Sequence, residues 1–141
     1  MKRVLVIDDD EGVRESFRAA LEDGGYAVTT ADSGSAGLES AARWRPDLIF
    51  LDLKMPGLSG VETLQRLHEI CPHTPVYLVT GFYGEFVTPL RELQRAGIDF
   101  NLARKPLSAG EIKAIAAGRI GGLDPIVVSN GAAVNSMGGR P

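Results

Sequence analysis

The chain has 141 residues, 44% of them hydrophobic and 23% charged, with a formal net charge of −3. This is the composition of one soluble globular domain with room for a real core, and it has no basic stripe suited to direct nucleic-acid contact. No apolar run approaches the roughly 20 residues of a membrane span, and the N-terminus has no signal-peptide core. A single cysteine, Cys71, excludes an internal disulfide and suits a reducing, cytoplasmic setting.

The first predicted element is the β-branched apolar run Val4-Leu5-Val6-Ile7, which ends in Asp8-Asp9-Asp10-Glu11. Val13, Phe17, Ala20 and Leu21 then recur at helical spacing until Gly24-Gly25 supplies a stop. Ala27 to Ala31 reads as a short strand of mixed polarity, as at a sheet edge. Ser33 opens a second helix with Leu38, Ala41 and Ala42 inward; it closes before Pro46, with Trp44 packed at its end. The run Leu48 to Leu51 lacks polar alternation, so both of its faces should be covered, as in the middle of a parallel sheet. It delivers Asp52 to a turn, Leu53-Lys54-Met55-Pro56-Gly57. Standing alone, Asp52 suits a metal ligand, a nucleophile or a helix cap.

Ser59-Gly60-Val61-Glu62 has the spacing of a capping box and starts a helix with Val61, Leu64, Leu67 and Ile70 on one side. His68 and His73 lack ligand spacing and read as surface residues, and Cys71 reads as incidental. Val76 to Val79 is a further buried strand, ending in Thr80-Gly81. Helical spacing returns at Leu90, Leu93 and Ala96, closed by Gly97, with Thr88-Pro89 suited to the N-cap and first position. The intervening Gly81–Val87 loop holds three aromatics. Either they pack inward or Phe82, Tyr83 and Phe86 form a mobile, partner-reading surface. Phe100 to Arg104 is a poorer strand before Lys105-Pro106, and Ser108 with Glu111 forms a second capping box before Ile112, Ile115 and Ala116. Gly121-Gly122 ends that helix. Residues 1–120 are thus expected to form the domain. Residues 121–141, despite a hairpin-like Asn130-Gly131, read as a flexible tail or linker stub.

Five strands alternating with five helices imply a parallel sheet covered on both faces. The more polar second and fifth strands belong at its edges, which fits a flavodoxin-like three-layer α/β sandwich of order 2-1-3-4-5. That order places the ends of strands one and three side by side. Asp8, Asp9 and Asp52 should therefore meet in one pocket, with Thr80 and Lys105 along its rim. Three carboxylates share a small site only with a compensating cation, and oxygen-only ligands point to a hard one such as Mg²⁺. A lysine and a hydroxyl beside them complete a site suited to phosphoryl transfer.

Val4-Leu5-Val6-Ile7-Asp8-Asp9-Asp10, Asp47 through Gly60, Thr80-Gly81 and Lys105-Pro106 together resemble the receiver domain of two-component response regulators, over roughly residues 2–118. The resemblance implies that Asp52 accepts a phosphoryl group from a kinase phosphohistidine. It implies Mg²⁺ held by Asp9 and Asp52, by the Lys54 backbone carbonyl, and by Asp8 through water. Thr80, Gly81 and Lys105 would sense the phosphoryl group, and the Lys105-Pro106 bond would be cis. Implied partners are a histidine kinase or phosphotransfer protein and a downstream protein or output domain, with room for a phosphorylation-dependent homodimer. The chain's own chemistry would be limited to accepting the phosphoryl group and hydrolysing it slowly, with Lys54 and Phe82 flanking the path of the attacking water.

Two features depart from that family. Leu102 stands where receivers usually carry Tyr or Phe, and the nearest ring is Phe100, five residues before Lys105. Either a bulge lets Phe100 serve or the aromatic switch is absent; the second is favoured. The Gly81–Val87 loop is also long. A rival reading is a small Mg²⁺-dependent phosphatase of the haloacid dehalogenase type with Asp8 as nucleophile. Against it, Asp8-Asp9-Asp10-Glu11-Gly12 lacks the Thr or Val that should close that motif, and the chain has no room for a cap domain.

Overall fold

The computed structural model describes residues 2–81 and 84–120. Strands β1 (Arg3–Ile7), β2 (Ala27–Ala31), β3 (Leu48–Asp52), β4 (Val76–Thr80) and β5 (Asn101–Arg104) form one parallel sheet in the order β2-β1-β3-β4-β5. They alternate with helices α1 (Glu11–Asp23), α2 (Gly34–Trp44), α3 (Gly60–Ile70), α4 (Val87–Arg95) and α5 (Ala109–Ile120). The edge and centre assignments follow polarity, as expected. Every residue of β3 and β4 is buried, whereas β2 is half-buried along most of its length.

Side-chain alternation divides the core in two. Leu5, Ile7, Ile49, Leu51, Leu78 and Leu102 face α2, α3 and α4, where Ala41, Leu64, Leu67, Leu90 and Leu93 meet them. Val4, Val6, Leu48, Phe50, Tyr77 and Val79 face α1 and α5, against Phe17, Leu21, Ile112 and Ile115. Phe50 sits between Phe17, edge-on at 5.0 Å, and Tyr77 at 6.1 Å. Among the described residues no helix is long and apolar enough to cross a membrane.

Local chemistry sets most helix ends. Asp10 caps α1 through Val13 N–H, Ser33 caps α2 through Ala36 N–H, and Ser59 with Glu62 forms a reciprocal capping box on α3. Ser108 and Glu111 exchange the same pair of bonds at 2.9 and 3.0 Å before α5. Trp44 is half-buried at the end of α2, with the Arg3 guanidinium 5.8 Å from its ring.

Three expectations are corrected. Ala42 and Ala96 are exposed. The inner stripe of α2 runs instead through Gly34, Gly37 and Ala41, small residues that let the helix lie close to the sheet, and Ala96 is the C-cap of α4. Helix α4 is also not capped by Thr88. A short 3-10 turn, Gly84–Phe86, leads directly into Val87, and Phe86 occupies the N-cap without a side-chain bond. Phe86 packs half-buried against the core, and burying that ring draws the helix start upstream of its best local cap. Finally, β5 begins at Asn101, one residue after Phe100. Phe82, Tyr83, the Gly121-Gly122 stop and the whole 121–141 segment, including Asn130-Gly131, lie outside the described residues.

Candidate functional site: an acid pocket at the carboxyl ends of the strands

Because β1 and β3 are hydrogen-bonded neighbours, the residue after β1 and the last residue of β3 leave the sheet together. Asp8, Asp9 and Asp52 each place a carboxylate oxygen within 4.8 Å of the other two. Asp8 and Asp52 are buried, at 3% and 5% exposure, and Asp9 is exposed. Asp8 is held at both oxygens: Oδ1 accepts the Asp10 N–H at 2.9 Å, and Oδ2 lies 3.0 Å from Lys105 Nζ. The same ammonium lies 3.4 Å from Asp52 Oδ1. Lys105 is in turn anchored by its own N–H, which donates to the Thr80 carbonyl at 2.8 Å. The Asp9 carboxylate forms no hydrogen bond or ion pair among the described residues.

Electrostatics make this a site short of positive charge. Burial, reinforced by the Asp8 charge, pushes the Asp52 carboxyl up to about 6, although Lys105 and the Lys54 N–H pull the other way. Burial also works against the Lys105 ammonium, but its bond to Asp8 and the charges of Asp52 and Asp8 outweigh that, so its affinity for a proton is raised. One ammonium thus bridges two of the three carboxylates, and the third, Asp9, is left without a cationic partner among the described residues. An all-oxygen donor set with a surplus of negative charge fits a small hard cation such as Mg²⁺, with Asp8, Asp9 and Asp52 as the side chains able to hold it.

The Asp52 turn is packed against α3. The Gly60 N–H donates to the Leu53 carbonyl at 3.0 Å. A Cβ at Gly60 would lie 2.4 Å from Leu53 Cα and 2.5 Å from the Asp52 carbonyl oxygen. Asp9, Asp10, Asp52, Lys54, Thr80, Gly81 and Lys105 line an open cleft of about 530 Å³. Thr80 is buried at the end of β4, and the Lys105-Pro106 bond is cis. A second hollow of about 260 Å³ lies at the opposite ends of β4 and β5; His68, Cys71 and His73 are among its walls, away from the acid pocket. Burial pushes the Cys71 thiol up, away from reactivity.

The pairing of β5 with β4 is unbroken from Asn101 to Arg104, so no bulge brings Phe100 to the position of Leu102. Both side chains are buried in the core that α4 covers. Phe86 packs against that core and leaves only part of its ring to any partner. Three contributors escaped the sequence reading: Asp10 as a cleft-lining cap, Gly60 as the close contact behind Asp52, and Arg14, whose Nη1 donates to the Asp8 carbonyl at 2.8 Å. For Asp10 a signal existed, an acidic residue just before a helix. For Arg14 there was none, since spacing does not say where a long side chain reaches.

Residues 4–117 match the model of the response regulator receiver domain. The chain belongs to this family. It is 42% identical over 79 residues to the response regulator MprA of Mycobacterium leprae, covering 56% of this chain and 35% of that protein. It is 40% identical over 78 residues to the transcriptional regulatory protein YkoG of Bacillus subtilis, covering 55% and 34%. The matched segment therefore spans only about a third of the length of these curated relatives, 35% and 34%. Among solved structures, a receiver domain protein from Clostridium thermocellum aligns with a TM-score of 0.74 at 29% identity, covering 86% of this chain and 95% of that one. A CheY-like receiver from Methanospirillum hungatei gives 0.72 at 28% identity, covering 79% and 87%. The chain is thus a signalling domain of a two-component response regulator with a flavodoxin-like fold, and the haloacid dehalogenase alternative finds no support.

Proposed function

We propose that this receiver is a phosphorylatable switch in which Asp52 accepts a phosphoryl group in a Mg²⁺-dependent reaction. The observation that carries the reading is Lys105 bridging Asp8 and Asp52 at 3.0 and 3.4 Å inside a three-carboxylate pocket. In the transfer an Asp52 Oδ–P bond forms as the N–P bond of a phosphohistidine breaks, and the imidazole keeps the bonding pair and takes up a proton. Lys105 is placed to pair with the arriving negative charge, giving up part of its bond to Asp8. Thr80 and Gly81, on the cleft wall, supply the hydroxyl and N–H that would hold the remaining oxygens. Mg²⁺ would be held by Asp9, Asp52 and the Lys54 carbonyl, with Asp8 acting through water, and when bound would supply charge neutralisation.

Phosphorylation turns the Asp52 carboxylate into an acyl phosphate carrying about −1.5 to −2 charges, a net gain of roughly one negative charge together with three strong acceptor oxygens. Moving a two-state equilibrium almost completely takes about 5.5 kcal/mol of differential interaction, which two or three charge-assisted bonds can supply. Residues 1–120 would act as the receiver unit and 121–141 as tail or linker. A histidine kinase or phosphotransfer protein would serve upstream in the cytoplasm, and an output domain or protein downstream. With Leu102 at the position usual for an aromatic, Phe86, the N-cap of α4, is the nearest ring after Thr80 among the described residues and would be the one to report its state.

The test is incubation with Mg²⁺ and acetyl phosphate, followed by intact mass and peptide mapping. One phosphoryl group on Asp52, absent in Asp52→Asn and absent with EDTA, is expected. Label on Asp8, or none on the wild-type chain, would overturn the reading.

A further inference from the structure

One strong donor reaches the acid pocket from behind, outside the set of carboxylates, hydroxyl and lysine. Arg14, half-buried in α1, donates through Nη1 to the main-chain carbonyl of Asp8 at 2.8 Å. Its own N–H donates to the Asp10 carbonyl at 3.0 Å, so its backbone is fixed by the first turn of the helix. Four acidic side chains, Asp8 to Glu11, precede it closely in sequence. Yet among the described residues Arg14 forms no ion pair, and the guanidinium is spent on a neutral carbonyl. An arginine present only to balance charge would pair with one of those acids.

The Asp8 carbonyl and the Asp9 N–H belong to one peptide plane. That plane is pinned on its Asp8 side, where Asp8 N–H donates to Ala31 O at 3.1 Å and the Asp8 carboxylate binds Asp10 N–H and Lys105. Asp9 has no such side-chain anchor, so the orientation of its exposed carboxylate depends on the backbone that carries it. We propose that Arg14 is a positioning residue for Asp9: by holding the Asp8–Asp9 peptide plane, it preorganises the exposed carboxylate toward the cation site. This rests on the reading of Asp8, Asp9 and Asp52 as that site. Preorganisation acts on binding of the cation and leaves the phosphoryl-transfer step at Asp52 untouched.

Calorimetric titration of the full chain with Mg²⁺ separates the cases. Arg14→Met, which keeps much of the packing and removes the donor, should weaken Mg²⁺ binding about tenfold, the usual scale for losing a ligand's supporting bond. Arg14→Lys, a single flexible donor, should weaken it about threefold. Arg18→Met is the control: Arg18 is also on α1 but bonds Thr30 Oγ1 at 3.2 Å, and its loss should leave Mg²⁺ affinity unchanged. With acetyl phosphate, Arg14→Met should raise the half-saturating Mg²⁺ concentration while the rate at saturating Mg²⁺ stays within about twofold of wild type. Wild-type affinity in Arg14→Met overturns the proposal, as does an equal loss in Arg18→Met. If urea melts show that Arg14→Met does not fold, Arg14→Lys decides, and wild-type affinity there overturns it. A wild-type chain that binds no Mg²⁺ would overturn the underlying reading of the acid pocket.

Discussion

The turns after β3 and β4 leave neighbouring strands at the same end of the sheet, yet they are held very differently. After β3, the Ser59–Glu62 capping box, the Thr63 hydroxyl on the Ser59 carbonyl at 2.7 Å, and Gly60 pressed against Asp52 and Leu53 leave little freedom. After β4, α4 starts on Phe86 without a side-chain cap, and a Cβ at Gly81 would meet nothing within 4 Å among the described residues. The first turn carries the candidate phosphoacceptor, where an error of an ångström is costly; the second follows the candidate sensor, Thr80. A switch needs one rigid end and one end whose alternative states lie close in energy.

The same substitution at the two glycines tests that contrast with the largest expected effect. Gly60→Ala places a methyl group on backbone atoms, which cannot yield as a flexible side chain would, and should cost about 3 kcal/mol in urea denaturation. Gly81→Ala should be neutral or stabilising by up to about 1 kcal/mol, because it restricts only the unfolded chain. Similar losses at both positions would erase the comparison.

The rigid end is also held at electrostatic cost. The Asp52 carboxyl sits at about 6 in the fold against an ordinary 3.8. The folded state therefore binds the extra proton between those values: stability is gained as pH falls through about 6 and lost as pH rises through it. Above pH 7 without divalent cations, Asp52→Asn removes that ionised group and should stabilise the fold by about 2 kcal/mol, with the difference fading toward pH 4. Added Mg²⁺ should close the gap by stabilising wild type alone. A destabilised Asp52→Asn in EDTA would show that Lys105 more than compensates its neighbours.

What could be read in advance follows physical range. Strand positions and sheet order came from apolar runs and edge polarity, and the Ser59–Glu62 and Ser108–Glu111 caps from spacings closed within one turn. The meeting of Asp8, Asp9 and Asp52 followed from strand order alone, since all three stand at strand ends. Ala42 and Ala96 were misplaced because alanine carries almost no facial preference, so a helical stripe can be read one residue out of phase. The Thr88-Pro89 signal lost to a tertiary contact, the burial of Phe86 against the core. Arg14 and Gly60 were invisible for the same reason: what they touch is brought there by the fold.

The smallest effect expected is also the most direct probe of the two helix starts. Ser59→Ala removes the oxygen that accepts Glu62 N–H at 3.2 Å and should cost about 1 kcal/mol. No equivalent loss is available at Phe86, where no side-chain bond exists to remove. Native-state hydrogen exchange should therefore find the Glu62 amide protected well beyond those of Val87 and Thr88. Ser59→Ala should narrow that difference by speeding exchange at Glu62 while leaving the start of α4 unchanged. Equal protection at both helix starts in the unphosphorylated chain would mean that burial of Phe86 holds α4 as firmly as a cap holds α3. The signal from Asp52 would then have to leave the domain by another route.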